Sequence, residues 1–214
     1  MEKIMKMSEK EILFLTRFIV ESDAIENIEA DSELVSTQLK EKINNGHVGA
    51  MMLLEALAKK KSEFIAKNLI CKVQGLITEE QHTKPGGPKL RPEYIGKYRL
   101  VNVSVGRNLP PHYSLVPFLM DSWIYHVVNW QKVCSQYLSD LNLRHIAAFH
   151  YEYEHIHPFA DGNGRSGRAL VHYLMRYCGI KPFVFTSDDK HETYYRCFNN
   201  PEEMRKYFEA RTIQ

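Results

Sequence analysis

Residues 155 to 168, HIHPFADGNGRSGR, constrain the chain more than any other stretch. Upstream, RHIAAFHYEYEHI repeats apolar residues at helical steps (Ile146, Phe149, Tyr153, Ile156), and downstream RSGRALVHYLMRYCGI is again periodic, so two helices must meet across a short loop of small residues. Within that loop Gly162 and Gly164 bracket Asn163 and admit backbone conformations that a Cβ forbids. Successive N–H groups can then converge on one anion at the start of the second helix, where unpaired amides and the helix dipole favour negative charge. The side chains suit the same ligand. His157 is a base, Asp161 a hard metal ligand, and Arg165 and Arg168, three apart, share a helix face. That inventory fits a polyphosphate.

Two other readings of this region fail on spacing. Gly162, Gly164 and Gly167 spell GxGxxG with Asp188 about 20 residues on, as in a dinucleotide fingerprint. That fingerprint needs a preceding strand, and the preceding segment has helical period. The histidines His145, His150, His155 and His157 are not a metal site either, because steps of five on a helix scatter the ring nitrogens, unlike an i, i+4 pair.

The segment resembles the signature of the Fic (Fido) family, HPFx[D/E]GNGRxxR, at every fixed position: His157, Pro158, Phe159, Asp161, Gly162, Asn163, Gly164, Arg165 and Arg168. A kinase branch that resembles Fic carries Lys at the position of Gly164, so the resemblance is to the adenylyltransferase branch. It implies a mainly helical, all-α Fic fold with a short β-hairpin flap. The implied activity is transfer of AMP from ATP to a target hydroxyl, with His157 catalytic and Asp161 holding Mg²⁺. Nucleotide contacts are implied for Gly162, Asn163, Gly164, Arg165, Ser166, Gly167 and Arg168, for Val105, Gly106, Arg107 and Asn108 of the flap, and for the pair Tyr194 and Tyr195. A second motif, SDAIEN from Ser22 to Asn27, is by itself a solvated helix turn. Beside the signature it looks like the family's inhibitory segment, [S/T]xxxE[G/N]. The resemblance then implies that Glu26 pairs with Arg168 and that Ser22 holds the helix in place. One guanidinium cannot bind a carboxylate bidentately and a γ-phosphate at once, so Glu26 would be a built-in competitor.

The rest of the chain is mostly helical. Ser8 and Glu11 form a capping box before Ile12, Leu15, Phe18 and Ile19. Residues 32 to 44 and 47 to 69 are amphipathic, with Asn45-Gly46 as the break, and residues 69 to 82 read as helix or turn. A loop rich in Pro and Gly follows from Thr83 to Pro88. Tyr98, Leu100, Val101, Val103 and Val105 are the clear β signal, ended by Gly106 and Pro110-Pro111. An exposed edge there suits a peptide held by strand addition. Residues 115 to 138 form a helix whose Trp123 and Trp130 share one face as core. Beyond the signature come a turn, an extended piece and one or two final helices.

At 214 residues the chain is one compact unit, divided here into an N-terminal segment with the inhibitory helix (1–45) and a Fic catalytic domain (46–214). Four scattered cysteines without CxxC spacing read as buried thiols in a reducing compartment. No leader-like apolar region or membrane-length run is present, and the expected location is cytoplasmic. A net charge of +2 with no basic face, and only about 15 residues after Asn200, make nucleic acid an unexpected partner. The expected partners are ATP and a target protein docked along the flap; the chain itself as that target, and a homodimer, stay open. So do removal of AMP by the same pocket, transfer of another nucleotide or of phosphocholine, and an ATP-binding regulatory or interaction module.

Overall fold

Helix α1 (Glu9–Ile25) begins at the anticipated capping box, in which the Ser8 Oγ accepts from the Glu11 N–H at 3.3 Å and the Glu11 carboxylate accepts from the Ser8 N–H at 2.8 Å. It opens a helical array in the computed structural model, which describes residues 7–61, 63–83, 90–106, 108–188 and 190–212. The array continues through α2 (Ser32–Glu41), α3 (Gly46–Lys60), α4 (Lys67–Thr83), α5 (Val116–Val133), α6 (Ser139–Ile156), α7 (Asn163–Cys178) and α8 (Pro201–Thr212). The helix anticipated over 47–69 stops earlier. Lys61 takes a left-handed conformation, and the chain restarts as α4 after the Ile65 N–H is bound by the buried Gln131 side chain.

Helix α7 is the centre of the array, packed against α3, α4, α6 and α1. Ala169, Leu170, Val171, Tyr173, Leu174 and Met175 are all buried, so apolar side chains cover most of its circumference, as befits a helix enclosed by neighbours. Helix α6 lies beside it and also meets α5 and α8. Trp123 and Trp130 are buried as expected, each with its indole N–H satisfied, by the Phe149 carbonyl at 2.9 Å and the Asn142 side chain at 3.0 Å. The segment before the GxGxxG spacing is α6, a helix, which removes the dinucleotide reading.

The anticipated hairpin is represented, among the described residues, by one antiparallel bridge between Val105 and Asn108, with both N–H···O bonds at 2.9 Å. Two-stranded ribbons are marginal in water, and here the preceding backbone has another use. Arg99, 1% exposed, donates from Nε to the His157 carbonyl at 2.8 Å and from its terminal nitrogens to the carbonyls of Val101 at 3.0 Å and Pro111 at 2.5 Å. Its own N–H donates to the Pro158 carbonyl at 2.9 Å. One guanidinium therefore ties Val101 and Pro111, on either side of the bridge, to the loop carrying His157. Arg99→Ala, which removes three charge-assisted bonds to part-buried carbonyls, is expected to cost about 3 kcal/mol of stability, measured by denaturant unfolding; a loss under about 1 kcal/mol would show that water replaces the guanidinium.

Candidate active site

The loop between α6 and α7 is built from the signature's own residues. His157 ends α6 in a left-handed conformation, φ 50° and ψ 63°, a region costly for a residue with a Cβ and held only where surroundings over-determine it. Arg99 supplies that restraint. Phe159 is fully buried beside the Tyr98 ring. Asn163 closes the loop: its Oδ1 accepts from the Phe159 N–H at 2.8 Å and its Nδ2 donates to the Phe159 carbonyl at 2.9 Å. Gly162 precedes α7 at φ 77°, and a Cβ there would lie 2.6 Å from the Thr78 methyl. From α4, Gln74 donates to the Asp161 carbonyl at 3.0 Å and accepts from the Gly96 N–H at 2.6 Å.

Two cavities meet at this loop. The larger, about 1040 Å³, runs between the bridge segment, α6 and the C-terminal turns. His157, Gly164, Arg168, Val105, Gly106, Asn108, Tyr194 and Tyr195 all line it, and so does Glu26. Arg107 lies outside the described residues. The smaller, about 90 Å³, is lined by Glu26, His157 and the run Ala160 to Arg165. The first N–H groups of a helix have no intrahelical partners, and those of α7 belong to this run.

Several residues expected on the ligand side face elsewhere. The Ser166 hydroxyl is buried between the Tyr153 hydroxyl at 2.8 Å and the Asn163 carbonyl at 3.0 Å. Gly167 abuts Tyr153, His150 and the Glu154 carboxyl, which leave no room for a Cβ. The Asn163 side chain is spent on Phe159. These three support the loop from behind, because the inner face of a helix N-terminus packs against the core while only its outer amides meet the cavity.

Electrostatics distinguish His157 from its neighbours. Its Nδ1 lies 3.3 Å from the Glu154 carbonyl; a carbonyl only accepts, so Nδ1 carries the hydrogen and Nε2 keeps the lone pair. Burial lowers its pKa to about 4, with the Arg99 charge acting in the same direction. His150 is pushed down to about 3 by burial and by Arg168, and its Nε2 meets the Tyr194 hydroxyl at 2.9 Å. Among the described residues no three His, Cys, Asp or Glu side chains form a metal cluster.

Arg168 is completely buried and held by α1. Its Nε donates to the Ser22 Oγ at 3.0 Å, one terminal nitrogen donates to the Ser22 carbonyl and to the Glu26 Oε1, each at 2.8 Å, and its guanidinium lies 5.7 Å from the centre of the Tyr194 ring. The Glu26 carboxylate presses on the backbone of Gly164, where a Cβ would overlap it. Other partners of α1 were not legible in the sequence. Glu21 accepts from the Ser187 N–H at 2.8 Å and its hydroxyl at 2.9 Å, Lys190 donates to the carbonyl of Ile25 at 3.1 Å and to the Asn27 side chain at 2.7 Å, and the Tyr195 hydroxyl donates to the Ile25 carbonyl at 3.0 Å. Asp23 meets the buried His47 at 3.0 Å.

The sequence profile of the Fic/DOC family matches residues 64–175, more than half of the chain. The chain belongs to the Fic/DOC family. It is 30% identical over 146 residues to the protein adenylyltransferase Fic of Culex quinquefasciatus and 28% identical over 145 residues to that of Aedes aegypti; each match covers 68% of this chain and 26% of the relative. The chain thus spans about a quarter of the length of these curated relatives. A Fic domain containing signaling protein from Bacteroides thetaiotaomicron superposes with a TM-score of 0.72 at 19% identity, covering 94% of this chain and 84% of the other. Fic-1 of C. elegans superposes with a TM-score of 0.64 at 18% identity, covering 98% and 64%. These likenesses are of fold, and they identify the array as a Fic fold. No helix among the described residues is long and apolar enough to cross a membrane.

Proposed function

We propose that this Fic protein is a protein adenylyltransferase that moves AMP from ATP to a hydroxyl of a target protein and is restrained by Glu26. The observation that carries the reading is the position of His157, neutral at pH 7 with Nε2 unprotonated, at the junction of an amide-lined cavity and a cleft large enough for a nucleotide. ATP lies with its phosphates over the N-terminus of α7 and its base toward Val105 to Asn108 and the pair Tyr194 and Tyr195. The target hydroxyl approaches along the bridge segment. Nε2 of His157 takes the hydroxyl proton as that oxygen attacks the α-phosphorus, the bond from the α-phosphorus to the bridging oxygen breaks, and pyrophosphate leaves. The amides of Asn163, Gly164 and Arg165 and the guanidinium of Arg168 offset the charge of the phosphates.

The residues present fit a Mg²⁺ ion. The Asp161 carboxylate is more than a third exposed at the small cavity and is oriented by the Gly162 N–H at 2.6 Å and by Arg165 at 3.8 Å. One carboxylate together with substrate phosphates suffices for Mg²⁺, which neutralises phosphate charge when bound.

Because Glu26 and His157 line the same small cavity, a second reading has support: the carboxylate orients a water that attacks the phosphorus, and His157 relays a proton from that water to the target oxygen as its bond to phosphorus breaks, releasing AMP from a modified target. Both readings are tested by following label from α-labelled ATP into a cell lysate and, separately, its release from protein labelled beforehand. Labelling that depends on His157 supports transfer, and release without labelling supports removal. Neither, with ATP bound, would leave the interaction module as the surviving reading.

A further inference from the structure

One ionisable group in the site has no place in the chemistry above. Glu154 lies one turn before His157 on α6 and lines the large cavity, yet its Oε1 is buried without a hydrogen-bond partner among the described residues. Leaving a carboxylate oxygen unsatisfied costs several kcal/mol, and the fold goes out of its way to admit it: Oε1 sits against Gly167, where any Cβ would overlap it. The groups facing Glu154 are Arg168 from α7, Glu26 from the end of α1, Tyr194 and Tyr195 from the C-terminal turns, and Tyr153 of its own helix. Only Arg168 among them is a cation. Arg168 gives its carboxylate contact to Glu26 and makes no ion pair with Glu154. One guanidinium therefore stands near two carboxyls and serves one.

We propose that Glu154 is the alternate carboxylate partner of Arg168, a positioning residue that takes up the guanidinium's charge when Glu26 withdraws and thereby ties the inhibitory contact to a proton. The inference rests on the reading of Glu26 as the inhibitor. With Glu26 engaged, burial pushes Glu154 up to about 8, Glu26 adding to the rise and Arg168 opposing it, so the carboxyl is neutral at pH 7 and tolerates its orphaned oxygen. Once Glu26 leaves, the repulsion disappears and Arg168 lacks a counter-charge, so both changes favour ionised Glu154. The engaged state thus holds one proton more than the released state. By linkage, engagement is fully favoured below the released-state pKa of Glu154, weakens by at most about tenfold per pH unit between that value and about 8, and changes no further above it. His150 and His157, with pKa values near 3 and 4, stay neutral across this window.

The test follows the side-chain carboxyl carbons by NMR in the full chain, without nucleotide, for the wild type, Glu26→Gln and Glu26→Gly. The Glu154 signal is identified by its loss in Glu154→Gln or, should that variant not fold, by its displacement in Glu154→Asp. Glu154 is expected to titrate near 8 in the wild type and at least about one pH unit lower in both Glu26 variants. In Glu26→Gly, rotation of the Arg168 terminal nitrogens, read from ¹⁵N spectra, should be slower while Glu154 is present than in Glu26→Gly/Glu154→Gln, the bonds to Ser22 being common to both. An ordinary carboxylate midpoint in the wild type, an unchanged midpoint in the Glu26 variants, or Arg168 rotation indifferent to Glu154 would each overturn the proposal. None of these readouts needs catalysis, so a chain that transfers no AMP removes the transferase reading and leaves this titration to decide on its own terms.

Discussion

Replacing His157 with alanine is expected to lower AMP transfer by about 10²- to 10⁴-fold, the usual contribution of a positioned general base, while ATP binding changes by no more than a few-fold. The asymmetry follows from what surrounds the ring. The loop is held by groups that remain in the variant: the Arg99 contact to the residue 157 carbonyl, the buried Phe159 ring and the two bonds between Asn163 and Phe159. The imidazole adds one contact of its own, Nδ1 to the Glu154 carbonyl at 3.3 Å. ATP affinity by calorimetry and transfer of label from α-labelled ATP, measured on one preparation, separate the two effects. Loss of both would assign His157 a structural role. The pH dependence adds a second check. A base works deprotonated, and burial holds the His157 pKa near 4, so in Glu26→Gly, where the pH-linked restraint is absent, kcat at saturating ATP should stay level on the acid side of neutrality and fall only as pH approaches about 4. An acid limb near the ordinary histidine value of about 6.5 would mean that the ring is better solvated than its setting implies.

Glu26→Gly is expected to raise transfer by roughly tenfold. The Glu26 contact to Arg168 is a charge-assisted bond to a fully buried guanidinium, of a type worth about 1.5–3 kcal/mol. The low end applies, because the Glu26 side chain keeps about a third of its surface in water, and about 1.4 kcal/mol corresponds to a factor of ten. Arg168 keeps its bonds to the Ser22 hydroxyl and carbonyl in this variant, so the guanidinium stays in place, and a γ-phosphate then competes for it with Glu154 alone. Lysate labelling by wild type and variant, side by side, measures the effect. Equal labelling would remove Glu26 as the restraint and leave the α1 contact as packing alone.

Much of this site was visible in the chain as written because its signals are local. The capping box at Ser8 and Glu11 needs only four residues, and α6 and α7 follow from apolar residues at helical steps. The loop between them is bounded by Pro158 and the glycines. The paired stretch is shorter than the alternation from Tyr98 to Val105 implies, because that pattern records which side chains alternate and says nothing about the Arg99 guanidinium that claims the neighbouring carbonyls. The third helix ends before its pattern does for a similar reason: the apolar spacing continues past Lys60, but the Gln131 side chain, 66 positions away, captures the Ile65 N–H.

What the sequence by itself determined is the family, the helical class and the chemical types gathered at residues 157 to 168, since these depend on spacing along one stretch of chain. Only the tertiary structure decided how they are used. Glu26 and Arg168 are 142 positions apart, and their contact exists because α1 packs on α7 and is tied down by Ser187, Lys190 and Tyr195. The inward turn of the Asn163 and Ser166 side chains, and the burial of the Glu154 Oε1 near a guanidinium it does not bind, likewise have no local signal. Burial sets the energy of each charge, and burial belongs to the packed array.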